Sequence, residues 1–410
     1  MHNVTIILFT SLVLSITACG SNPSNEISNA NPDSSNAPVE NKKPNTDYKS
    51  AFAGQTRING VKSKGAVEFT VLTEELKKPW GIVSFPDGRF LISEKVGSLR
   101  IVSKTGSISE KISGIPKVNS DGQGGLLGLA IDPSFKTTRM IYWVFSENLP
   151  EGNLTAVAKG KLSQDEKRME NVAVIYRATP AYNGTLHYGG RILVDASGNL
   201  IISIGERSDK ETRPQAQDLH SALGKLIRIT TDGKPAAGNP FLDNRNARPE
   251  LYSYGHRNVQ GLALHPVTGD LWENEFGPKG GDEVNLIHPG KNYGWPIITY
   301  GLEYSGGKVG EGLTQQTGLE QPVYYWDPVL SPSGMAFYSS DNIPEWKNNL
   351  FICGLNSNHI ARLVIENNKV TGEERLLANE GQRFRDITMG SDGNLYCITD
   401  EGRLYQIGKK

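Results

Sequence analysis

Short hydrophobic segments alternate with polar, Gly- or Asn-containing turns from Ala66 almost to the end of the chain. Each repeat consists of a turn, an apolar strand, a second short turn and another strand. Six copies are recognised, at Asp87–Ile101 and from Arg139, Gly198, Gly269, Asn349 and Gly393 onward. Long helices are not predicted, because 45 Gly and 22 Pro interrupt the pattern too often.

The repetition predicts an all-β fold, a six-bladed β-propeller. A β-sandwich is the alternative, but similar strand–turn–strand units over most of the chain fit radial closure better. The apolar segment Ala66–Leu72 is expected to form the outer strand of the last blade and so close the ring. In such a ring, ligands bind at one end of the central channel, where loops from every blade converge.

The N-terminal region has a different composition. Val4–Ile16 is an apolar run of signal-peptide length that ends in a lipobox-like sequence at Cys19. Residues 1–18 are therefore expected to be a lipoprotein signal peptide, with an ordinary secretory signal as the alternative. Residues 19–50 are rich in Ser, Asn and Pro and are predicted to be a flexible tether, which leaves residues 51–410 for the propeller.

Charge and cysteine content narrow the function. The 43 basic and 44 acidic side chains nearly cancel, so the broad positive surface of a nucleic-acid-binding protein is not expected. No haem-attachment or zinc-type cysteine pattern is present. Cys353 and Cys397 lie three and two residues after Leu350 and Leu395, which start related strands. They are expected to point to opposite sheet faces, which argues against a disulfide between them.

The most informative local pattern is the pair His187 and Glu206. Ile192–Asp195 and Leu200–Ile204 read as a hairpin, which brings both side chains to the same open end. A carboxylate beside a histidine orients the imidazole and raises its basicity, as a general base requires. The alternative is a surface His and Glu that merely flank a hairpin.

Several polar motifs fall in loops between the predicted strands. They occur at Gly122–Gly128, Leu186–Arg191, Gly255–Asn258, Glu275–Glu283, Lys291–Pro296 and Arg383–Asp386. In this order they resemble the soluble PQQ-dependent glucose dehydrogenase and aldose sugar dehydrogenase family of quinoproteins. The resemblance implies a six-bladed propeller that oxidises the anomeric carbon of aldoses to lactones with pyrroloquinoline quinone (PQQ) and calcium.

The resemblance also implies roles for individual residues. His187 matches the general base that takes the proton of the sugar C1 hydroxyl, and Glu206 matches its acidic partner. Gln123 is expected near both cofactor and sugar. The remaining cofactor-binding positions are Arg257, Asn258, Asn356, Arg383 and Arg385. Arginine suits a ligand with three carboxylates, because its guanidinium binds carboxylates in a bidentate manner.

Two calcium sites are implied in the same way. Gly277 and Pro278 match positions whose backbone carbonyls hold the catalytic calcium, and calcium accepts carbonyl oxygens readily. Glu283 and Tyr293 match a second, structural calcium site. Without the resemblance, Gly277 and Pro278 would be read as a turn, and Glu283 as a charge at a strand edge.

One position departs from the family pattern. Asn356 stands where the family has a lysine that reaches the cofactor, so an ammonium group near a trianionic ligand is missing. Lys279 and His359 are the two candidates to compensate for it. The other histidines, including His256, lack a spacing typical of a metal site.

The predicted function is that of an exported, PQQ- and calcium-dependent aldose sugar dehydrogenase, with a small sugar as substrate and a separate carrier or quinone as electron acceptor. Membrane attachment is expected only through lipidated Cys19, in the periplasm or at the cell surface. A calcium-dependent propeller hydrolase such as a lactonase is one alternative. A tethered binding propeller without redox chemistry is another, and Asn356 is the best argument for it.

Overall fold

The computed structural model describes Met1 and residues 37–409. Apart from one turn of helix, α1 (Phe135–Thr138), and two 3₁₀ turns (Arg213–Ala216 and Pro344–Trp346), its regular structure is entirely β. The strands form six antiparallel sheets arranged as the blades of a β-propeller. The predicted fold is confirmed.

The blades follow one another along the chain. Blade one contains β2 (Pro79–Ser84), β3 (Phe90–Glu94) and β4 (Ser98–Val102). Blade two contains β5 (Leu126–Ile131), β6 (Met140–Leu149), β7 (Gly152–Leu162) and β8 (Met169–Arg177). Blade three contains β9 (Ile192–Val194), β10 (Leu200–Ile204), β11 (Lys225–Ile229) and β12 (Leu251–Tyr254). Blade four contains β13 (Val259–Leu264), β14 (Leu271–Glu275), β15 (Asp282–Ile287) and β16 (Tyr324–Trp326). Blade five contains β17 (Pro332–Phe337), β18 (Leu350–Gly354), β19 (Ile360–Glu366) and β20 (Lys369–Leu376). Blade six contains β21 (Phe384–Met389), β22 (Leu395–Thr399) and β23 (Leu404–Lys409).

The ring is closed by the N-terminal strand. β1 (Val67–Thr73) pairs antiparallel with β23, with Val67 opposite Lys409 and Val71 opposite Tyr405. It is the outer strand of blade six, as predicted from Ala66–Leu72. The innermost strands of blades six and one, β21 and β2, also pack against each other. The first and the last strand of the described propeller therefore belong to the same blade.

The second strand of each blade explains the hydrophobic pattern of the sequence. Every residue of β3, β10, β14, β18 and β22 is buried, because these strands are covered on both faces by neighbouring blades. A strand buried on both faces reads as a continuous apolar run rather than an alternating one. The remaining second strand, β6 of blade two, is buried from Ile141 to Ser146. The six runs recognised in the sequence correspond to these six second strands.

Two kinds of loop meet at one end of the propeller. In an antiparallel blade, the loop that enters the first strand and the loop that leaves the second strand lie at the same end. Gln123 and His187 precede the first strands β5 and β9, whereas Glu206 and Asn356 follow the second strands β10 and β18. The fold thus gathers the candidate site residues from several blades.

Residues 2–36 lie outside the described part of the chain. They include Cys19, the predicted signal peptide after Met1 and the first part of the predicted tether. Residues 37–50 contain no helix or strand, but they contact the propeller. The backbone amides of Asn45 and Thr46 donate to the carboxylate of Asp327 at 2.8 and 3.0 Å, and Glu40 forms an ion pair with Arg375. In the described residues, no helix has the length and apolar character needed to cross a membrane.

The expectation that Cys353 and Cys397 point to opposite sheet faces does not keep the two thiols apart. Their Sγ atoms lie 3.5 Å apart, and both side chains are fully buried. The two residues do face opposite sides of their own sheets. They belong to neighbouring blades, however, and opposite faces of neighbouring blades meet at the interface between them.

Candidate active site

Two adjoining cavities lie at the loop end of the propeller. The first has a volume of about 370 Å³ and is lined by residues that include Trp80, Gln123, Gly189, Arg383, Arg385 and Asp400. The second has a volume of about 410 Å³ and is lined by residues that include Gln123, Gly277, Pro278, Asp282 and Asn356. Gln123 and Phe276 line both. Residues predicted to hold cofactor and calcium are thus brought together around one region.

His187 and Glu206 are in direct contact behind the first cavity. His187 Nδ1 lies 2.6 Å from Glu206 Oε1, and both side chains are buried. The other carboxylate oxygen of Glu206 accepts a hydrogen bond from the Ser208 amide at 3.0 Å. The juxtaposition predicted from the hairpin is confirmed. Since a carboxylate can only accept, Nδ1 carries the proton and Nε2 keeps its lone pair.

The backbone of His187 is in an unusual conformation. Its φ angle is +46°, in the left-handed region that non-glycine residues rarely adopt. Gly189 follows with a φ of +67°, and a side chain there would collide with the Ser203 carbonyl at 2.6 Å. The two residues that follow His187 in this sharp turn, Tyr188 and Gly189, line the first cavity. Local strain of this kind is frequent at functional sites.

Burial lowers the pKa of His187 below its ordinary value, and the nearby Arg257 guanidinium lowers it further. Glu206 opposes both effects but does not outweigh them. The imidazole is therefore neutral at neutral pH, which is the state in which it can accept a proton.

Gln123 connects His187 to both cavities. Its side-chain Oε1 accepts a hydrogen bond from the His187 backbone amide at 2.9 Å. The loop that carries Gln123 is braced by Lys95, whose Nζ donates to the carbonyls of Ser120 and Gly122 at 3.1 and 2.7 Å. Lys95 also lines the first cavity, a position that the sequence did not reveal.

Arg257 and Asn258 are buried with unused donors. Arg257 Nη1 donates to the Gly277 carbonyl at 2.8 Å, while Nε has no hydrogen-bond partner among the described residues. Asn258 Oδ1 accepts from the Gly189 amide at 3.0 Å, and its Nδ2 is likewise unpaired in the described part of the chain. An unsatisfied buried donor costs about 1–3 kcal/mol, so such groups are expected to serve a ligand.

Arg383 and Arg385 face the same side, as predicted, and share one carboxylate. Arg383 Nε donates to Asp400 at 2.9 Å, and Arg385 donates to it through Nε and Nη2 at 2.7 and 3.0 Å. Burial alone would raise the pKa of Asp400, but Arg385 and Arg383 outweigh it and hold the pKa below its ordinary value. Asp400 thus fixes both guanidinium groups at the cavity wall, and the three side chains retain one net positive charge.

Asn356 lies next to the same group. Its Oδ1 accepts from Arg383 Nη1 at 3.3 Å, so it contacts one of the predicted cofactor-binding arginines. Of the two residues expected to compensate for the missing lysine, Lys279 lines the second cavity together with Asn356. His359 does not qualify, because burial and the nearby Arg375 lower its pKa to about 4 and leave it neutral.

A family model described as Glucose / Sorbosone dehydrogenase matches residues 76–406, most of the propeller. The chain belongs to this family. Aldose sugar dehydrogenase YliI of Escherichia coli is 41% identical to this glucose/sorbosone dehydrogenase family member over 349 residues, covering 84% of this chain and 93% of the relative. The family membership identifies the chain as an oxidoreductase related to sugar dehydrogenases.

Solved structures of the family have the same fold. A crystal structure of a glucose dehydrogenase is 42% identical, with a TM-score of 0.81 over 84% of this chain and all of the other. The PQQ-bound form of aldose sugar dehydrogenase from Streptomyces coelicolor is 28% identical, with a TM-score of 0.71 over 85% of this chain and 99% of the other.

The candidate calcium residues Gly277 and Pro278 lie in the second cavity of this family member. Next to them is Asp282, whose Oδ1 accepts from the Gly277 amide at 2.9 Å and whose Oδ2 accepts from the Leu330 and Ser331 amides. Burial raises the pKa of Asp282 to about 7 despite these bonds. The donor set is a carboxylate and backbone carbonyls, which calcium prefers.

Glu283 and Tyr293 line a smaller cavity that also contains Glu275. Glu283 and Glu275 are directly opposite each other on β15 and β14. Burial and the charge of Glu275 raise the pKa values of both Glu283 and Glu273 well above the ordinary value. Oε2 of Glu273 has no hydrogen-bond partner among the residues described. Several buried carboxylates with an unpaired oxygen indicate a site suited to a cation.

His256 also lies in this group, a position that its spacing in the sequence did not indicate. Ligand atoms of His256, Glu273 and Glu275 all lie within 4.8 Å of one another, and His256 Nδ1 is 3.2 Å from Glu275 Oε1. The missed signal was the alternation of Glu273 and Glu275 on one strand, which puts both carboxylates on one face. His256 itself is nineteen residues away along the chain from Glu275, and only folding reveals the contact.

Proposed function

We propose that the chain is a PQQ- and calcium-dependent dehydrogenase that oxidises the anomeric C1 hydroxyl of aldose sugars to lactones. One observation supports this proposal most strongly. A buried, neutral His187 with an oriented imidazole lies next to a cavity whose wall carries two fixed guanidinium groups, of Arg383 and Arg385. Relatives named aldose sugar dehydrogenase and quinoprotein glucose dehydrogenase make the sugar and the quinone the natural ligands.

His187 acts as the general base in this proposal. Its Nε2 accepts the proton of the C1 hydroxyl while the C1 hydrogen leaves as hydride, and the C1–O bond becomes the lactone carbonyl. Glu206 stabilises the imidazolium that forms, because its carboxylate lies 2.6 Å from Nδ1. Gln123, which lines both cavities, would contact the sugar and orient its hydroxyl. General base catalysis of this kind contributes about 10²- to 10⁴-fold in rate.

The residues present fit PQQ. The cofactor carries three carboxylates, and the first cavity offers the guanidinium groups of Arg383 and Arg385. Buried, unpaired donors lie on Asn258, which accepts from the amide of the cavity residue Gly189, and on Arg257, which lines the smaller cavity with Glu275. When bound, PQQ supplies the quinone that accepts the hydride. Arg383 and Arg385, held by Asp400, would bind its carboxylates at fixed positions, so little conformational entropy is lost on binding.

The residues present also fit calcium at two places. The carbonyls of Gly277 and Pro278 would hold an ion beside the cofactor, where it would polarise the quinone as a Lewis acid. Glu283 and the backbone oxygen of Tyr293 would hold a second ion, with Glu275 as a further ligand. That ion would relieve the repulsion among carboxylates whose pKa values are raised by burial and by one another.

Reconstitution tests the proposal. Purified protein is mixed with PQQ and calcium, and aldose-dependent reduction of an artificial dye is recorded for the wild type and for His187→Gln. We expect dye reduction by the wild type and a loss of at least about 10²-fold in the variant. Lactone hydrolysis without added PQQ would instead favour the calcium-dependent hydrolase. Equal dye reduction by variant and wild type would refute the assignment of His187 as the base. Absence of dye reduction by the wild type and the variant alike, without lactone hydrolysis, would favour a binding propeller.

Export and lipid attachment at Cys19 remain part of the proposal. The apolar run before Cys19 and the polar segment after it support them, although these residues lie outside the described region. Electrons would pass to a separate carrier or quinone, since the sequence contains no haem-attachment motif. Intact-mass analysis of membrane-extracted protein, with Cys19→Ser as control, measures the added lipid directly.

A further inference from the structure

The two cysteines of the described propeller face each other across an interface between blades. Cys353 lies on β18 of blade five and Cys397 on β22 of blade six, with their Sγ atoms 3.5 Å apart. Both are 0% exposed and belong to an apolar cluster that includes Phe351 of blade five and Phe384 of blade six. Neither thiol takes part in the proposed chemistry of the active site.

The strand register shows that the contact follows from the architecture. The fourth residue of a second strand faces the following blade, as three polar examples demonstrate. These contacts are Ser93 Oγ to the Leu127 carbonyl at 2.6 Å, Ser203 Oγ to the Val259 carbonyl at 3.0 Å, and Asn274 Nδ2 to the Ser333 carbonyl at 2.9 Å. Cys353 is the fourth residue of β18, so its side chain is directed toward blade six.

The third residue of a second strand faces the preceding blade. Ile92, third in β3, packs with Tyr396 and Ile398 of blade six. Ile352, third in β18, packs with Trp272 of blade four. Cys397 is the third residue of β22 and is directed back toward blade five. Because Cys353 is directed toward blade six and Cys397 toward blade five, the repeated strand register itself brings the two thiols together.

We propose that Cys353 and Cys397 form a disulfide that joins blade five to blade six when the chain folds in the presence of a disulfide-containing oxidant. One cysteine thiolate attacks a sulfur of the oxidant and forms a mixed disulfide, with release of one thiol. The second cysteine thiolate then displaces the oxidant's other sulfur. The two cysteines lose two protons and two electrons, and the oxidant's disulfide is reduced to two thiols.

Burial determines when this reaction takes place. In the packed propeller neither sulfur is accessible, and burial together with the neighbouring Cys353 raises the pKa of Cys397. A thiol with a raised pKa yields little of the reactive thiolate at neutral pH. The exchange therefore takes place before blades five and six have packed, and the finished disulfide is shielded from reductants.

The experiment refolds the full chain carrying Cys19→Ser, which removes the third cysteine, in two buffers. One contains oxidised and reduced glutathione, and the other contains only a thiol reductant. After glutathione refolding we expect an intact mass about 2 Da lower, no alkylation of the denatured chain and a linked peptide that contains Cys353 and Cys397. The oxidised form should also melt about 5 °C or more above the reduced form.

Single variants are the matched controls. Cys353→Ser and Cys397→Ser should each abolish both the linked peptide and the difference in melting temperature between the two buffers. If the Cys19→Ser protein refolded with glutathione has the same melting temperature as the reduced protein, shows two alkylatable cysteines and gives no linked peptide, the proposal is overturned. This decisive comparison does not depend on whether either single variant folds.

Discussion

Replacement of Glu206 by glutamine tests how the proposed base is held. The change keeps the shape of the side chain and replaces one carboxylate oxygen with an NH₂ group. In the native chain one oxygen of Glu206 lies 2.6 Å from His187 Nδ1, and the other accepts from the Ser208 amide at 3.0 Å. In Glu206→Gln, the Ser208 amide needs the remaining oxygen, so the NH₂ group is turned toward Nδ1.

That orientation reverses the tautomer of His187. Nδ1 must then accept, so the ring proton moves to Nε2, where the lone pair for the C1 hydroxyl proton is needed. The variant also loses the negative charge that stabilises the imidazolium. We therefore expect kcat to fall by 10²- to 10⁴-fold, which corresponds to about 2.7–5.4 kcal/mol of barrier height. PQQ affinity should change little, since Glu206 does not line the cofactor cavity.

The assay is steady-state dye reduction by reconstituted protein, with PQQ binding measured separately by titration. Glu211→Gln, which neutralises an exposed glutamate on the following loop, is the matched control and should keep wild-type kcat. A Glu206→Gln protein that binds PQQ normally and retains kcat within about threefold would refute the assignment of His187 as an oriented base.

Three further predictions concern charge at the site. First, NMR titration of His187 in the apo-protein should give a pKa below 6.5, and Glu206→Gln should lower it further, because the carboxylate opposes the effects of burial and Arg257; an unchanged or higher value in the variant would contradict this. Second, Asn356→Lys should lower the Kd for PQQ about tenfold, which corresponds to about 1.4 kcal/mol, because it restores an ammonium group near a trianion. A titration that shows equal or weaker PQQ binding in the variant would disprove this prediction. Third, the Glu283→Gln protein should have a higher melting temperature than the wild type in chelator, because a buried like charge is removed. In excess calcium its melting temperature should be the lower one, because the ion at 100 times its Kd should add about 2.7 kcal/mol to the free energy of unfolding of the wild type. Equal melting temperatures with and without calcium for both proteins would argue against the site.

The fold was accessible from sequence because its determinants are local and repeated. Second strands such as Phe90–Glu94 and Leu200–Ile204 are buried on both faces, and apolar runs of this kind mark most blades. In blade four, the second strand instead buries Glu273, Asn274 and Glu275. The contact between His187 and Glu206 was accessible for the same reason, since one short hairpin separates them. The conformation around His187 and Gly189 adds a strained turn that no hydrophobic pattern encodes.

The residues that were missed depend on contacts between distant parts of the chain. Asp400 looks like an ordinary turn residue until folding puts it between Arg383 and Arg385. Asp282 and Glu275 are acidic residues in or next to strands, and only the closed propeller shows that they are buried. Cys353 and Cys397 were misjudged because their directions were compared within one sheet, whereas the contact is between two blades.

The central claim is that His187 removes a proton while a sugar delivers hydride to a cofactor bound beside it. Anaerobic single-turnover spectroscopy of the protein reconstituted with PQQ and calcium tests this directly. Addition of an aldose should convert the oxidised cofactor spectrum to the reduced one in the wild type, and at least about 10²-fold more slowly in His187→Gln. Failure of the wild type to bind PQQ in calcium-containing buffer, or equally fast reduction in the variant, would contradict the account.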